Sequence, residues 1–321
     1  MTEQFSESQS AHSPHPDLSV IVTIVDGGAV LTRCLEALCQ QVGAPTLEII
    51  VPYDESISEV GALAESFPTI RFLALGALVK ADASRGAYAQ HGLYDRRRAG
   101  GLHAANGRLV AIVEDRGRPK SDWAQAIAAL HDGNDYAVVG GAVENGAASV
   151  LFWAVYFCDF GRYQPPLDQR DPEYVTDVNI CYKREALDKV SDLWNQKYQE
   201  PEINWALRRL GRRLYLSDRP IVIEERNPMR LTALLAERVD WGRVFGQIRG
   251  REMSRLKCLI WAAATPVIPT ILFVRHFRRQ LQKRRKIAQF VRAVPAILVL
   301  LHFWVLGECI GYCEAALKSR R

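Results

Sequence analysis

The sequence predicts an α/β fold, a mostly parallel sheet flanked by helices, followed by amphipathic and membrane-embedded C-terminal helices. Three observations carry that expectation. The first 225 residues alternate β-branched runs with stretches of helical apolar spacing. Near the C-terminus, residues 258–274 and 293–307 form two apolar segments without a charged side chain. Charge is also split along the 321 residues: 19 basic and 5 acidic residues lie from Arg226 onward, +14, so that a net charge of +5 leaves −9 on the first 225. Such asymmetry excludes a uniformly basic nucleic-acid coat and points to an acidic soluble part whose basic tail meets an anionic surface.

In chain order, residues 1–17 are polar and rich in Ser, His and Pro, with neither the basic start nor the apolar run of a signal peptide. They read as a disordered leader, which places the soluble part in the cytoplasm. Residues 18–24 (LSVIVTI) are a β-branched run and predict a strand; 29–41 have the spacing of a helix; 47–51 (LEIIV) predict a second strand. A helix over 58–67 and strands over 70–75, 109–113 and 136–139 continue the series. Strands interleaved with helices mean a mostly parallel sheet, whose ligands sit beyond the carboxyl ends of the strands. That rule selects Asp26 and its two glycines after the first strand, Pro52 to Glu55 after the second, and Glu114, Asp115 and Arg116 after LVAIV. Carboxylates gathered at such an edge suit a divalent cation, which would neutralise a diphosphate. Neither G-x-G-x-x-G nor a P-loop occurs. The seven cysteines are scattered and form no C-x-x-C pair, so a reducing compartment without disulfides or a zinc site is expected.

The ordered set LSVIVTIVDGGAVLTRCLEAL, LEIIVPYDES, RRRAGGLHAANGRLVAIVEDRGRPKSDW, YVTDVNICYKREAL and QEPEINWALRRLGRRLYL resembles the catalytic domain of family-2 nucleotide-sugar glycosyltransferases with the GT-A fold, over about residues 18–225. The resemblance implies an inverting transfer from a nucleoside-diphosphate sugar. It sets Asp26 beside the nucleoside and Asp54 on base and ribose, Tyr53 standing where a second acid is usual. It brings Arg97 or Arg98 toward the diphosphate. Glu114 and Asp115 match the acidic metal motif and would hold Mg2+ or Mn2+, whereas Arg116 falls where the motif's last aspartate is expected. Either the two acids still hold the cation, or Arg116 replaces part of its charge by pairing with the diphosphate. The base that deprotonates the acceptor falls on Glu200, with Glu202 as the second choice; both also read as acids favoured at a helix N-terminus. Asp177 and Asn179 would line the acceptor side, with Asn179 bonding a sugar hydroxyl, and Trp123 would be structural.

The tail completes the expectation. Residues 226–257 alternate apolar positions at helical spacing with arginines, an amphipathic helix of interfacial type, beside which a lipid-borne acceptor would enter. Residues 258–321 read as a membrane-associated helical region. Pro266 and Pro269 break its first apolar segment into a re-entrant or interfacial shape, and the flanking Lys/Arg clusters suit anionic lipid headgroups. The function expected is a transferase at the inner membrane, its catalytic domain facing the cytoplasm, acting on a lipid-linked or membrane-proximal acceptor in surface polysaccharide or glycolipid assembly. The alternative is a catalytically impaired domain serving as a membrane-bound binding or scaffold partner.

Overall fold

The computed structural model describes residues 15–78, 86–167, 172–228 and 230–318. Most of the expected leader, and residues 319–321 of the terminal basic group, lie outside the described residues. The first half of the chain runs β1 (Leu18–Thr23), α1 (Gly28–Cys39), β2 (Leu47–Tyr53), β3 (Arg71–Ala74), α2 (Gly86–Ala104), β4 (Leu109–Glu114), β5 (Gly117–Pro119) and α3 (Trp123–Asp132). It continues through β6 (Tyr136–Asn145), α4 (Val150–Asp159), β7 (Asn179–Lys183), α5 (Arg184–Asp188), α6 (Glu200–Arg209) and β8 (Arg213–Glu224). Four further helices follow: α7 (Leu231–Arg251), α8 (Arg255–Ala263), α9 (Ile268–Lys283) and α10 (Ile287–Lys318).

The strands form one sheet in the order β3-β2-β1-β4-β7-β6-β8-β5. β3, β2, β1 and β4 are mutually parallel, as are β6 and β8, while β7 runs against both β4 and β6. The α/β class and the predominance of parallel pairing are as the sequence predicts. β1 and β4 are buried along their whole length because helices cover both faces, which is why they read as unbroken apolar runs. The register fixes the functional edge: Thr23 pairs with Glu114 and Val113 with Asn179. The last residues of β1 and β4 and the first of β7 thus lie side by side.

Three elements depart from expectation. The helix expected over 58–67 is a 3₁₀ segment, Glu55–Glu65, with non-helical backbone at Ile57. β6 runs on to Asn145 through Gly140 and Gly141, which do not read as strand. Gly141 is there for a close approach, since a Cβ would lie 2.1 Å from the Pro220 carbonyl oxygen. The 19-residue α2 has no continuous apolar stripe, because Arg97 and Arg98 share its buried face with Tyr94, Ala99 and Leu102.

The C-terminal helices are not a separate layer. Phe290, Ala293, Ile297, Leu300 and Leu301 of α10 belong to the same apolar core as the sheet, and the Phe290 ring packs edge-on against Phe157 of α4 at 5.0 Å. The C-terminal half of α10 packs along α7 on a seam of glycines. A Cβ at Gly242 would meet the Trp304 carbonyl oxygen at 2.0 Å, and one at Gly307 the Val239 carbonyl oxygen at 2.0 Å. α8 and α9 meet at 77°, a bend at the place where Pro266 and Pro269 predict a break. α10 is one helix rather than the expected segment 293–307, and residues 287–317 are long and apolar enough to cross a membrane, with an 18-residue stretch of mean hydropathy 2.0 that is 39% buried.

Candidate active site

The turn after β1 is shaped by Gly27 and Gly28, both at positive φ (67° and 56°), where glycine alone is unstrained. It turns three successive amides toward the Asp115 carboxylate: Val25 N–H at 3.0 Å, Asp26 N–H at 3.1 Å and Gly27 N–H at 2.6 Å. Burial pushes the Asp115 carboxyl up to about 6, although these amides pull it down. The residue expected to ligate a cation is instead the anion around which the turn is built.

Asp54 and Arg97 form a second internal pair. Asp54 caps the 3₁₀ segment, one oxygen accepting from the Ser56 amide at 2.7 Å and hydroxyl at 2.6 Å, the other lying 3.1 Å from Arg97. Burial would raise its carboxyl, but Ser56 and the Arg97 charge outweigh it and hold it below the usual range. Arg97 also donates to the Ile24 carbonyl at 3.3 Å, tying the turns after β1 and β2 together. Neither side chain is left facing a nucleotide: Asp54 is 3% exposed and Arg97 1%.

Arg98 is the hub of a buried acid cluster. It donates to Thr23 Oγ1 at 3.2 Å and pairs with Glu114 at 2.7 Å, Asp177 at 2.8 Å and Asp95 at 3.4 Å. One guanidinium cannot neutralise so many carboxylates. Burial, then Asp177, pushes Glu114 up to about 8 despite Arg98, and burial pushes Asp95 up to about 6. Glu200, half-buried in the first turn of α6, borders this cluster. Burial and then the charge of Asp177 raise its carboxyl well above the usual range. Glu202 turns away and pairs with Arg251 of α7 at 2.9 Å.

Arg116, whose charge also bears on Glu114, has its own partners. Its Nε and Nη2 both donate to Asp26 Oδ1, at 2.8 and 2.5 Å, while the second Asp26 oxygen accepts from the Asn227 amide at 2.9 Å. Glu237 of α7 approaches Arg116 at 3.7 Å and Arg226 at 3.5 Å. Arg226 in turn pairs with Glu224 at 2.8 Å, and Arg238 binds Asp159 of α4 through both carboxylate oxygens. Burial pushes Glu224 up to about 7 in spite of these cations. This network fastens α7 over the strand ends.

Asn179, expected to bond a sugar, spends both amide hydrogens on the Ala142 and Pro220 carbonyls, at 3.0 and 3.2 Å, and accepts from Trp123 Nε1 at 2.9 Å. It is 1% exposed and locks β6, β7, β8 and α3 together; Trp123, fully buried, is structural. Glu114 and Asp115 do not fit a divalent cation as they stand, one turned on Arg98 and the other on three amides. Among the described residues no three His, Cys, Asp or Glu side chains are grouped to hold a metal.

Sequence reasoning missed Asp95, Glu237, Arg226 and the pair Asp159–Arg238. Asp95 had a local signal, standing three residues before Arg98 on one helix face. Asp159 and Arg238 are 79 positions apart and had none.

No protein-family model matches the chain, and no curated protein matches it. Among solved structures it is similar to residues 1–349 of S. aureus TarS in complex with UDP-GlcNAc: 12% identity, 95% of this chain against 91% of that one, TM-score 0.49. It is similar also to the mannosyltransferase PcManGT from Pyrobaculum calidifontis, in complex with GDP-Man and Mn2+ (17%, 96% against 76%, 0.46). A longer S. aureus TarS structure matches at 15% identity and a TM-score of 0.45, over 70% of this chain but only 39% of its own length. At these identities the likeness is one of fold alone.

Proposed function

We propose that the chain is a membrane-surface glycosyltransferase, moving a sugar with inversion from a nucleoside-diphosphate sugar to a hydroxyl of a lipid-linked acceptor. One observation carries this reading. At the carboxyl end of β4, Glu114 pairs with Arg98 at 2.7 Å and feels Arg116, while Glu200, a carboxylate of raised proton affinity, feels Asp177 and Arg98 of the same cluster.

In one displacement, Glu200 takes the acceptor proton as the hydroxyl oxygen attacks the anomeric carbon. The bond from that carbon to the diphosphate oxygen breaks, and its electron pair leaves with the nucleoside diphosphate. Arg116 is always charged and planar, and suits bidentate pairing with that diphosphate once Asp26 gives it up. It would supply the positive charge that the acidic motif does not. Glu202, held by Arg251, has no part in the proton transfer, and Arg98 acts by positioning Asp177 and Glu114.

The exposed apolar side chains of α8, α9 and α10, among them Leu256, Ile260, Ile271, Phe277 and Val299, are read as a face lying in the membrane interface. An in-plane position fits α10 better than a crossing. Its N-terminal half is in the core of the sheet, and its C-terminal half carries α7 with the pair Arg243–Glu314 into any layer it enters.

The test is nucleoside-diphosphate release from a panel of nucleotide sugars by the full chain with native lipid extract. Glu200→Gln is expected to lose at least ~100-fold in rate and Arg116→Ala a similar factor, while a chelator leaves the wild-type rate unchanged. Because Glu200 must be ionised to act and its carboxyl is raised, the rate should climb with pH through a limb displaced above the ordinary carboxylate range. A chelator-sensitive rate restored by Mn2+ would return the charge to a metal. Donor binding without turnover, equal in wild type and Glu200→Gln, would favour the impaired-domain alternative.

A further inference from the structure

α9 carries an accumulation of positive charge that the chemistry above leaves unused. Arg275, Arg278, Arg279 and Lys283 lie at helical spacing along one stretch of it. Arg162 joins them from the loop after α4, its guanidinium 4.6 Å from the Tyr174 ring and 5.2 Å from that of Tyr163. Among the described residues no carboxylate pairs with Arg162, Arg275, Arg278 or Arg279. Glu173, Asp218 and Glu308 bear on Arg162, Lys283 and Arg275 respectively, each without an ion pair to it. The cations therefore repel one another: burial and then Arg275 and Arg162 lower Arg279 to about 10, and burial and then Arg279 lower Lys283 to about 8. Lys283 is held in the crowd by the carbonyls of Arg162, Gln164 and Pro166. Like charges held together at a cost, with no carboxylate in an ion pair with them among the described residues, suit an anion.

The surroundings narrow the kind of anion. Arg275, Arg278 and Arg279 line a surface depression of about 450 Å³ together with Ile271 and Val274, which are 59% and 40% exposed. Phosphate-binding guanidinia continuous with bare aliphatic surface fit a phosphate that carries an apolar chain. On the other side, the buried Tyr163 hydroxyl, which has no hydrogen-bond partner among the described residues, feels both Arg162 and the carboxylates Glu200 and Asp177. The cationic group and the acid cluster thus abut the same tyrosine.

We infer that the Arg275/Arg278/Arg279 face of α9, with Arg162, binds the phosphate of the lipid that carries the acceptor, with the lipid chain lying over Ile271 and Val274. That the bound lipid is the acceptor rests on the transferase reading; that the face binds a lipid phosphate does not, and the experiment needs no turnover. Full-length protein is floated with vesicles containing either a phosphodiester lipid (phosphatidylglycerol) or a sulfonate lipid (sulfoquinovosyl diacylglycerol), matched for surface charge. Wild type is expected to prefer the phosphodiester at least ~10-fold. Arg275→Gln/Arg279→Gln should bring the ratio to about one, while Arg255→Gln/Lys257→Gln, an equal loss of charge on α8, should lower binding to both vesicles and keep the ratio. A wild-type ratio near one overturns the site, and so does a ratio lost equally in both double variants, which would make the basic tail a diffuse belt. Displacement of the vesicles by an equal concentration of inorganic phosphate would show that the lipid chain contributes nothing and overturn the lipid assignment.

Discussion

Arg98 serves Glu114, Asp177 and Asp95 at once, and this sharing sets the pH behaviour of the fold. With the Glu114 carboxyl raised to about 8, the folded protein keeps a proton there that the unfolded chain gives up in the usual carboxylate range. Stability from this group is full at low pH and is lost as pH rises through about 8. The melting temperature is therefore expected to fall by several degrees between pH 6 and 8.5, and to fall less in Glu114→Gln, as followed by circular dichroism. At this scale the sequence located the residues but not their engagements. Asp26, Asp54, Asp115 and Arg116 do stand at the strand ends, because periodicity and the carboxyl-end rule place them there. That Asp115 is spent on the amides of residues 25–27, and Asp54 on Ser56 and Arg97, depends on partners brought in by the fold, and a linear pattern of acids does not distinguish a ligand from a cap.

Among the elements, α7 was read from its apolar spacing as an interfacial helix, and its glycines carried no weight in that reading. They decide its place. Gly242, Gly246 and Gly250 repeat every four residues and face Trp304, Glu308 and Ala315, while Gly307 and Gly311 of α10 face α7 in return. Gly307-Glu308 and Gly311-Tyr312 thus belong to a helix seam, close in kind to small-residue packing between membrane helices, with Glu308 accepting from Trp304 Nε1 at 2.5 Å. A Cβ at Gly246 would stand 2.6 Å from the Glu308 carbonyl oxygen. Gly246→Leu is expected to part the helices and cost about 1–3 kcal/mol or more, measurable by denaturant unfolding, with a smaller loss for Gly250→Ala, whose Cβ would meet side chains rather than backbone, Ala315 nearest at 2.4 Å. α2 escapes the sequence pattern for the opposite reason: two arginines interrupt its buried face, and apolar periodicity does not register them.

For the molecule as a whole, the split of charge and the order of strands and helices were legible, because both are properties of long stretches. The joining of the two halves was not. Phe290, Ile297, Leu300 and Leu301 fill one wall of the sheet's core, and at about 1.5–3 kcal/mol each their burial matches the entire stability of an ordinary domain. A chain ending at Lys257 is accordingly expected to aggregate or to show no cooperative melt, whereas the full chain should lose sheet and C-terminal helices in one transition. The shared wall also orders events during synthesis. The strands leave the ribosome first, yet their core stays open on one side until Leu301 has emerged, and by then the apolar faces of α8 and α9 are already outside. On the function proposed above, the protein would reach its membrane surface while the half that carries the acid cluster is still unfinished, so a chain that has completed folding would be one whose apolar C-terminal helices are already in place.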